Sequence, residues 1–201
     1  MKWFYDFVKI TSAIPLLLWY RPKIVYEGGE KIRVKKRALI IANHIGLTDP
    51  IYVMLGIWYR RIRFVCMKEF WEKPVSRAFF KACMCIPIDR ENVGIDTFRE
   101  ITDSLREEKA VAIFPGGHVD TVGDDVGAFK SGMILMAIKG SAPILPVVLV
   151  RRAHWYQRLR LVVGKPVDIK ARYGARPKMS EIDEIASELK NKEKELKALV
   201  K

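Results

Sequence analysis

Residues 38–50 indicate the fold most clearly: Ala-Leu-Ile-Ile-Ala-Asn-His-Ile-Gly-Leu-Thr-Asp-Pro. Its first five residues are apolar without polar alternation, which is typical of a strand buried on both faces in a parallel sheet. Pro50 follows Thr48 and Asp49, either of which is a candidate helix cap, so a helix is predicted over residues 50–57. A buried strand that leads directly into a helix is the repeating unit of an α/β sheet.

The same alternation of strands and helices continues on both sides of this stretch. The other strands are predicted at residues 23–28, 61–67, 85–89, 110–114, 144–150 and 158–163. Further helices are predicted at residues 73–83, 93–108, 130–139 and 180–201. The pattern indicates an α/β fold with a mostly parallel central sheet flanked by helices, in which residues 23–201 form one domain.

Two of the predicted helices carry an apolar stripe that we expect to be buried against the sheet. In the helix over residues 93–108 the stripe comprises Ile95, Phe98, Ile101, Thr102 and Leu105. In the last helix it comprises Ile182, Ile185, Leu189, Leu196 and Leu199.

Composition narrows the class of protein. The chain has 201 residues and half of them are hydrophobic, which suits one sizeable core and excludes a disordered or disulfide-stapled chain. Its formal charge of +13 calls for a partner of opposite sign: nucleic acid, an anionic membrane surface or a phosphorylated substrate. The excess of cations is concentrated in residues 1–88 and 151–178, whereas residues 89–150 are net acidic.

Residues 1–22 form a separate segment. Near one face of a helix lie Trp3, Phe4, Phe7, Val8 and Ile14, with Lys2, Asp6 and Lys9 elsewhere. The pattern predicts an amphipathic segment that associates with a membrane at the headgroup boundary, although an ordinary core-packing helix fits it equally well. The uninterrupted apolar run over residues 13–20 is shorter than the ~20 residues that cross a bilayer. No cleavable secretory signal is recognisable, so we expect a peripheral or monotopic protein at the cytoplasmic face.

The cysteines do not predict a metal site. Cys66, Cys83 and Cys85 are an odd set without the spacing of tetrahedral ligands, and reduced thiols are expected. We expect neither a metal nor a cofactor.

His44 is the first candidate for catalysis. It follows the strand at residues 38–42, and ligands of such sheets bind beyond the carboxyl ends of the strands. Asp49 comes five residues later, and an imidazole held by a carboxylate keeps one tautomer and accepts a proton at its other nitrogen. The spacing alone does not separate a catalytic from a structural histidine.

Further short blocks occur along the chain in a fixed order. They are Asn43-His44 with Asp49, Ile86-Pro87-Ile88-Asp89-Arg90, Phe114-Pro115-Gly116-Gly117, Phe129-Lys130-Ser131-Gly132, Ile144-Leu145-Pro146-Val147 and Gly164-Lys165-Pro166-Val167. In this order and spacing the blocks resemble the motifs of the PlsC-type glycerolipid acyltransferases, which include the 1-acylglycerol-3-phosphate acyltransferases. The resemblance covers essentially the whole domain.

The resemblance implies a reaction and a set of roles. A fatty acyl chain would pass from acyl-CoA or acyl carrier protein to a lysophospholipid acceptor, the sn-2 hydroxyl of lysophosphatidic acid. His44 would be the general base and Asp49 would orient it. Arg90 would bind the acceptor's phosphate, since a guanidinium fork meets two phosphate oxygens at once. Gly117 would let the substrate approach the backbone or supply an amide to the oxyanion, and Lys130 is a second candidate cation.

One block departs from the family pattern. Where the family usually has Phe-Pro-Glu-Gly-Thr-Arg-Ser, this chain has Phe-Pro-Gly-Gly-His-Val-Asp over residues 114–120. Gly116 and Val119 therefore replace a glutamate and an arginine that the family assigns to acceptor binding, and His118 is a candidate substitute. The alternatives are another lysophospholipid or glycolipid acceptor, or a catalytically silent scaffold of the same fold. The presence of His44 and Asp49 argues against the scaffold.

A nucleic-acid partner is the remaining alternative. Residues 151–160 interleave arginines with Trp155 and Tyr156, which suits either nucleic acid or a membrane surface. No nucleic-acid-binding motif accompanies them, so we expect an anionic membrane surface and no nucleic acid.

Overall fold

The computed structural model describes residues 2–89, 94–115, 131–150 and 158–200. Its centre is a seven-stranded sheet in the order β1-β7-β6-β2-β5-β3-β4. The strands are β1 (Lys23–Tyr26), β2 (Ala38–Ala42), β3 (Ile62–Met67), β4 (Ile86–Ile88), β5 (Ala110–Ile113), β6 (Ile144–Val150) and β7 (Arg160–Val163). β6, β2, β5, β3 and β4 are mutually parallel, β7 pairs antiparallel with β6, and β1 is parallel to β7. The predicted fold class is confirmed.

Seven α-helices and one short 3₁₀ helix are described. They are α1 (Lys2–Tyr20), α2 (Asp49–Gly56), the 3₁₀ helix Lys68–Trp71, α3 (Pro74–Ala82), α4 (Ile95–Arg106), α5 (Ser131–Lys139), α6 (Ile169–Tyr173) and α7 (Met179–Ala198). The 3₁₀ helix and α6 are the elements that the sequence pattern did not predict.

The central strands are buried on both faces because successive side chains alternate between two hydrophobic layers. On β2, Ile40 packs with α1 and α2, whereas Leu39 and Ile41 pack with α4, α5 and α7. All five residues of β2 are buried, as the apolar run predicts.

α1 lies on the α2 side of the sheet, and its Asp6 and Lys9 side chains contact the body of the protein. The Lys9 ammonium donates to the carbonyl oxygen of Trp58 at 2.5 Å and lies over the Trp58 ring. The Asp6 carboxylate pairs with Arg61, and the Tyr5 hydroxyl accepts the backbone N–H of Ile62 at 3.0 Å.

The outer face of α1 is apolar. Trp3, Phe7 and Ile14 are exposed, whereas Lys9 is only 6% exposed. Lys9 can be buried because carbonyl oxygens beyond the end of α2 provide its hydrogen-bond acceptors. Among the described residues, no helix combines the length and the apolar character that a membrane span requires.

Two residues of the predicted apolar stripes lie at helix ends and are exposed. Ile95 is the first residue of α4 and is 77% exposed, and Leu199 follows the last residue of α7 and is 54% exposed. At each end the chain leaves the helical repeat, so the side chain no longer faces the sheet. Val200 is buried in place of Leu199.

Candidate active site

His44 lies two residues beyond the end of β2, the central strand of the seven-stranded sheet. The segment before it is joined to the neighbouring strand β6 by the Asn43 side chain. Its amide Nδ2 donates to the Leu149 carbonyl at 2.9 Å, and its Oδ1 accepts the Leu149 N–H at 2.7 Å. Asn43 thus extends the β2–β6 ladder by a side chain and fixes the backbone from which His44 projects.

Asp49 holds both the histidine and the loop between them. Its Oδ2 atom lies 2.6 Å from Nδ1 of His44 and accepts the backbone N–H groups of Ile45 at 2.5 Å and Gly46 at 2.8 Å. The Asp49 side chain is 1% exposed. Three converging N–H donors around one oxygen, at the N-terminus of α2, stabilise an ionised carboxylate in a buried position.

This geometry selects the tautomer of His44. The carboxylate accepts the Nδ1 proton, which leaves Nε2 as the nitrogen that can receive another. The imidazole also stacks on Phe114, at 4.6 Å between ring centroids and 26° between planes. His44 is therefore held by Asp49 at one edge and by Phe114 at one face.

The helix caps proposed for this loop do not form as predicted. Thr48 occupies the N-cap position of α2, but its side chain makes no capping hydrogen bond. Asp49 is already the first residue of the helix, and its carboxylate accepts N–H groups from the preceding loop rather than from the helix itself.

A cavity of about 680 Å³ lies beside His44, a volume within the range that holds a small ligand. Its lining is apolar for the most part and comes from α1, α2, β3, α3 and α5. Among the lining residues are Met54, Phe64, Phe80, Phe114, Met133 and Met136. The arrangement places a proton acceptor on the wall of a compartment suited to an apolar chain.

The three cysteines also line this cavity and form no disulfide. Burial raises the pKa of the Cys83 thiol to about 11. The hydrogen bond between Cys66 and Cys85 raises the pKa of Cys66 and lowers the pKa of Cys85. The sequence predicts reduced thiols but not their place on the cavity wall, because that wall depends on which side chains the fold brings together.

The structure brings together two of the predicted site residues, His44 and Asp49. The other candidates lie outside the described residues: Arg90, Gly116, Gly117, His118 and Lys130. Asn43 and Phe114 belong to the motif blocks, but the sequence alone indicated no role for either residue. The structure shows that Asn43 anchors the loop to β6 and that Phe114 supports the imidazole ring.

Comparisons with known proteins show what this chain is similar to. Residues 23–150 match the family model described as Acyltransferase. The 1-acyl-sn-glycerol-3-phosphate acyltransferase of Bacillus subtilis is 25% identical over 162 residues, which are 78% of this chain and 80% of that protein. The protein of the same name from Borreliella burgdorferi is 28% identical over 156 residues, which are 75% of this chain and 61% of that protein. A probable 1-acyl-sn-glycerol-3-phosphate acyltransferase of Mycoplasma genitalium is 28% identical, and the match spans 55% of its length.

A solved structure has the same fold. The crystal structure of the 1-acyl-sn-glycerophosphate (LPA) acyltransferase, PlsC, from Thermotoga maritima superimposes with a TM-score of 0.68. The match covers 96% of this chain and 80% of the other, at 21% identity.

Proposed function

This chain belongs to the acyltransferase family, and from that premise we propose that it acylates the sn-2 hydroxyl of lysophosphatidic acid. The acyl donor is the thioester of acyl-CoA or of acyl carrier protein. The observation that carries the proposal is the His44–Asp49 pair on the wall of an apolar cavity. The names of the related proteins support lysophosphatidic acid as the acceptor.

The proposed reaction is direct transfer by general-base catalysis. Nε2 of His44 removes the proton of the acceptor hydroxyl as its oxygen attacks the thioester carbonyl carbon. Asp49 stabilises the imidazolium that forms, because its buried carboxylate already contacts Nδ1. The tetrahedral intermediate then collapses, the carbon–sulfur bond breaks, and the departing thiolate takes the proton from His44. The products are the ester and the free thiol, and no covalent acyl-enzyme is required.

In this proposal the acyl chain occupies the cavity beside His44. Its apolar wall favours a hydrocarbon chain over a polar ligand, because burying methylene groups is favourable by ~0.8 kcal/mol each. The raised pKa of Cys83 keeps that thiol neutral at physiological pH, so it adds no charge to the wall.

Acceptor binding is assigned to the remaining motif residues. Arg90, with Lys130 as a second cation, binds the phosphate, and Gly116, Gly117 and His118 lie in the block that contacts the acceptor. This block differs from the family sequence at Gly116 and Val119. A different lysophospholipid or a glycolipid is therefore the second candidate acceptor.

The protein is proposed to act on an anionic membrane surface at the cytoplasmic face, with α1 as its lipid contact. The apolar outer face of α1 supports this, because exposed Trp3, Phe7 and Ile14 gain from burial at the headgroup boundary. The pairing of Asp6 and Lys9 with the protein body also supports it, because neither charge then has to enter the lipid.

The test is to offer the purified protein acyl-CoA and acyl carrier protein thioesters with a panel of lysolipids, and to identify the products by mass. We expect diacylglycerol phosphate from lysophosphatidic acid and little product from neutral lysolipids. Transfer to neutral lysolipids alone would show that lysophosphatidic acid is not the acceptor, but it would leave the proposed acyl transfer from a thioester intact. No transfer to any acceptor would favour the silent scaffold.

A further inference from the structure

A continuous series of aromatic contacts leads from α1 to the cavity. Trp3 contacts Phe4 with ring centroids 6.0 Å apart, and Phe4 contacts Phe79 of α3 at 6.1 Å. Phe79 contacts Phe80 at 5.4 Å, and Phe80 stacks on Phe70 at 4.8 Å. Residues far apart in sequence thus form one apolar surface, from the exposed ring of Trp3 to residues that line the cavity.

Three residues mark where this surface meets the cavity, since each of them both lines it and is exposed. They are Leu47 at 87%, Phe70 at 39% and Phe79 at 43% exposure. Leu47 lies in the loop between His44 and Asp49. The opening of the cavity is therefore apolar at its rim and adjoins the loop that carries the catalytic pair.

The 3₁₀ helix and α3 together form residues 68–82, which we call the cap segment. None of its residues is buried. One side of it faces the cavity through Phe70, Phe79 and Phe80, and Val75 on α3 is 82% exposed. Exposed Phe70, Val75 and Phe79 make its surface partly apolar, and exposed apolar surface that adjoins a cavity indicates an interaction site.

The charges of the cap segment indicate what contacts it. α3 carries Arg77 and Lys81 and no acidic residue, and Lys73 precedes it directly. All three cations are exposed, and the segment also exposes Glu69 and Glu72 before α3 begins. Cations interleaved with exposed Phe and Val residues complement an anionic lipid surface, where the rings enter the headgroup boundary and the cations meet phosphates.

We propose that the cap segment is a second lipid-contacting element beside α1, and that acyl chains enter the cavity from the lipid phase between Phe70, Phe79 and Leu47. The aromatic series makes α1 and the cap segment one surface, so both elements contact the same membrane. The entry route rests on the proposed acyl transfer. The lipid contact does not, because it follows from exposure and charge alone.

The first test measures binding of the full chain to sedimented vesicles that contain either phosphatidylcholine alone or phosphatidylcholine with phosphatidylglycerol. Val75→Glu puts a charge on the outer side of α3 and is expected to weaken binding to the anionic vesicles by roughly tenfold. Ile95→Glu is the matched control, because Ile95 is equally exposed but lies at the start of α4, on the other side of the sheet. Equal binding by the two variants would overturn the proposal.

Charge is tested by a second pair of variants. Lys81→Glu should weaken binding to anionic vesicles more at low salt than at high salt, whereas Lys139→Glu on α5 should leave it unchanged. Self-association that Val75→Glu abolishes, without any loss of vesicle binding, would assign this surface to a second copy of the chain and overturn the lipid contact.

The entry route is tested by turnover. Val75→Glu should retain the wild-type rate with a short-chain, water-soluble donor and acceptor, and should lose rate with long-chain substrates held in vesicles. Equal rates of wild type and variant on vesicle-bound substrates would overturn the entry route. If the wild type transfers no acyl chain to any acceptor, the proposed function fails, and the vesicle-binding comparison still decides the lipid contact.

Discussion

Two regions of the molecule differ in how they place polar and apolar groups. One is the loop between His44 and Asp49, and the other is the surface formed by α1 and the cap segment. In the loop, one buried carboxylate oxygen accepts three N–H groups of the same chain. On the surface, Asp6 and Lys9 of α1 pair with groups of the protein body, whereas Trp3, Phe7 and Ile14 are exposed. The first region is complete within the chain. The second leaves large apolar side chains exposed, and the proposed lipid contact would cover them.

The role of the loop can therefore be tested in dilute solution, whereas the role of the surface has to be tested with lipid present. Substitutions in the loop should change the chemical step in every assay, because the loop's contacts are internal. Substitutions on the outer face should change activity only when the substrate is presented in a membrane. Four predictions test this separation, starting with the largest effect.

The largest effect is expected from His44→Ala, which removes the proton acceptor. Turnover should fall by about 10²- to 10⁴-fold with soluble and vesicle-bound substrates alike, because loss of a general base affects the chemical step itself. Thermal unfolding should stay close to that of the wild type, since the ring is partly exposed on the cavity wall. Near-normal turnover in the purified variant would refute the mechanism.

Asp49→Asn is expected to have the next largest effect. The amide oxygen can still accept the Ile45 and Gly46 N–H groups, but the negative charge beside Nδ1 is gone and the imidazolium is less stable. We expect turnover to fall by about 10²-fold and its pH profile to move to lower pH, because a less stable imidazolium gives up its proton more readily. A variant with unchanged turnover and pH profile would show that Asp49 has only a structural role.

Asn43→Ala should reduce stability more than chemistry. The variant leaves the N–H and C=O of the buried Leu149 without their side-chain partner, which costs on the order of 2 kcal/mol of the free energy of unfolding. Turnover should fall less than in either catalytic variant, because His44 and Asp49 keep their contact. Denaturant unfolding with a parallel rate measurement checks both parts, and unchanged stability would show that the ladder does not need Asn43.

The sequence predicted the fold and the contact between His44 and Asp49 because both depend on local patterns. The apolar run of residues 38–42 identifies a buried strand. His44 and Asp49 are so close in sequence that a single short loop brings their side chains into contact. The cavity could not be predicted, since its wall combines side chains from five or more elements. The orientation of Lys9 could not be predicted either. Its hydrogen-bond acceptors are the backbone oxygens of Trp58 and Arg60, and every residue type has a backbone oxygen.

The smallest effect concerns the ion pair that ties α1 to β3. The hydrogen bond from Arg61 lowers the pKa of the Asp6 carboxyl below its ordinary value of 3.8. A lowered pKa in the folded state stabilises the fold above the ordinary value, and the contribution is lost as the pH falls through the folded pKa. Wild type should therefore exceed Asp6→Asn in unfolding free energy at about pH 7, and the difference should decrease as the pH falls below 3.8 and be lost below the folded pKa. Because both partners are substantially exposed, the difference should be small and should shrink in high salt. A difference that persisted undiminished in acid would mean that Asp6 holds α1 by something other than its charge.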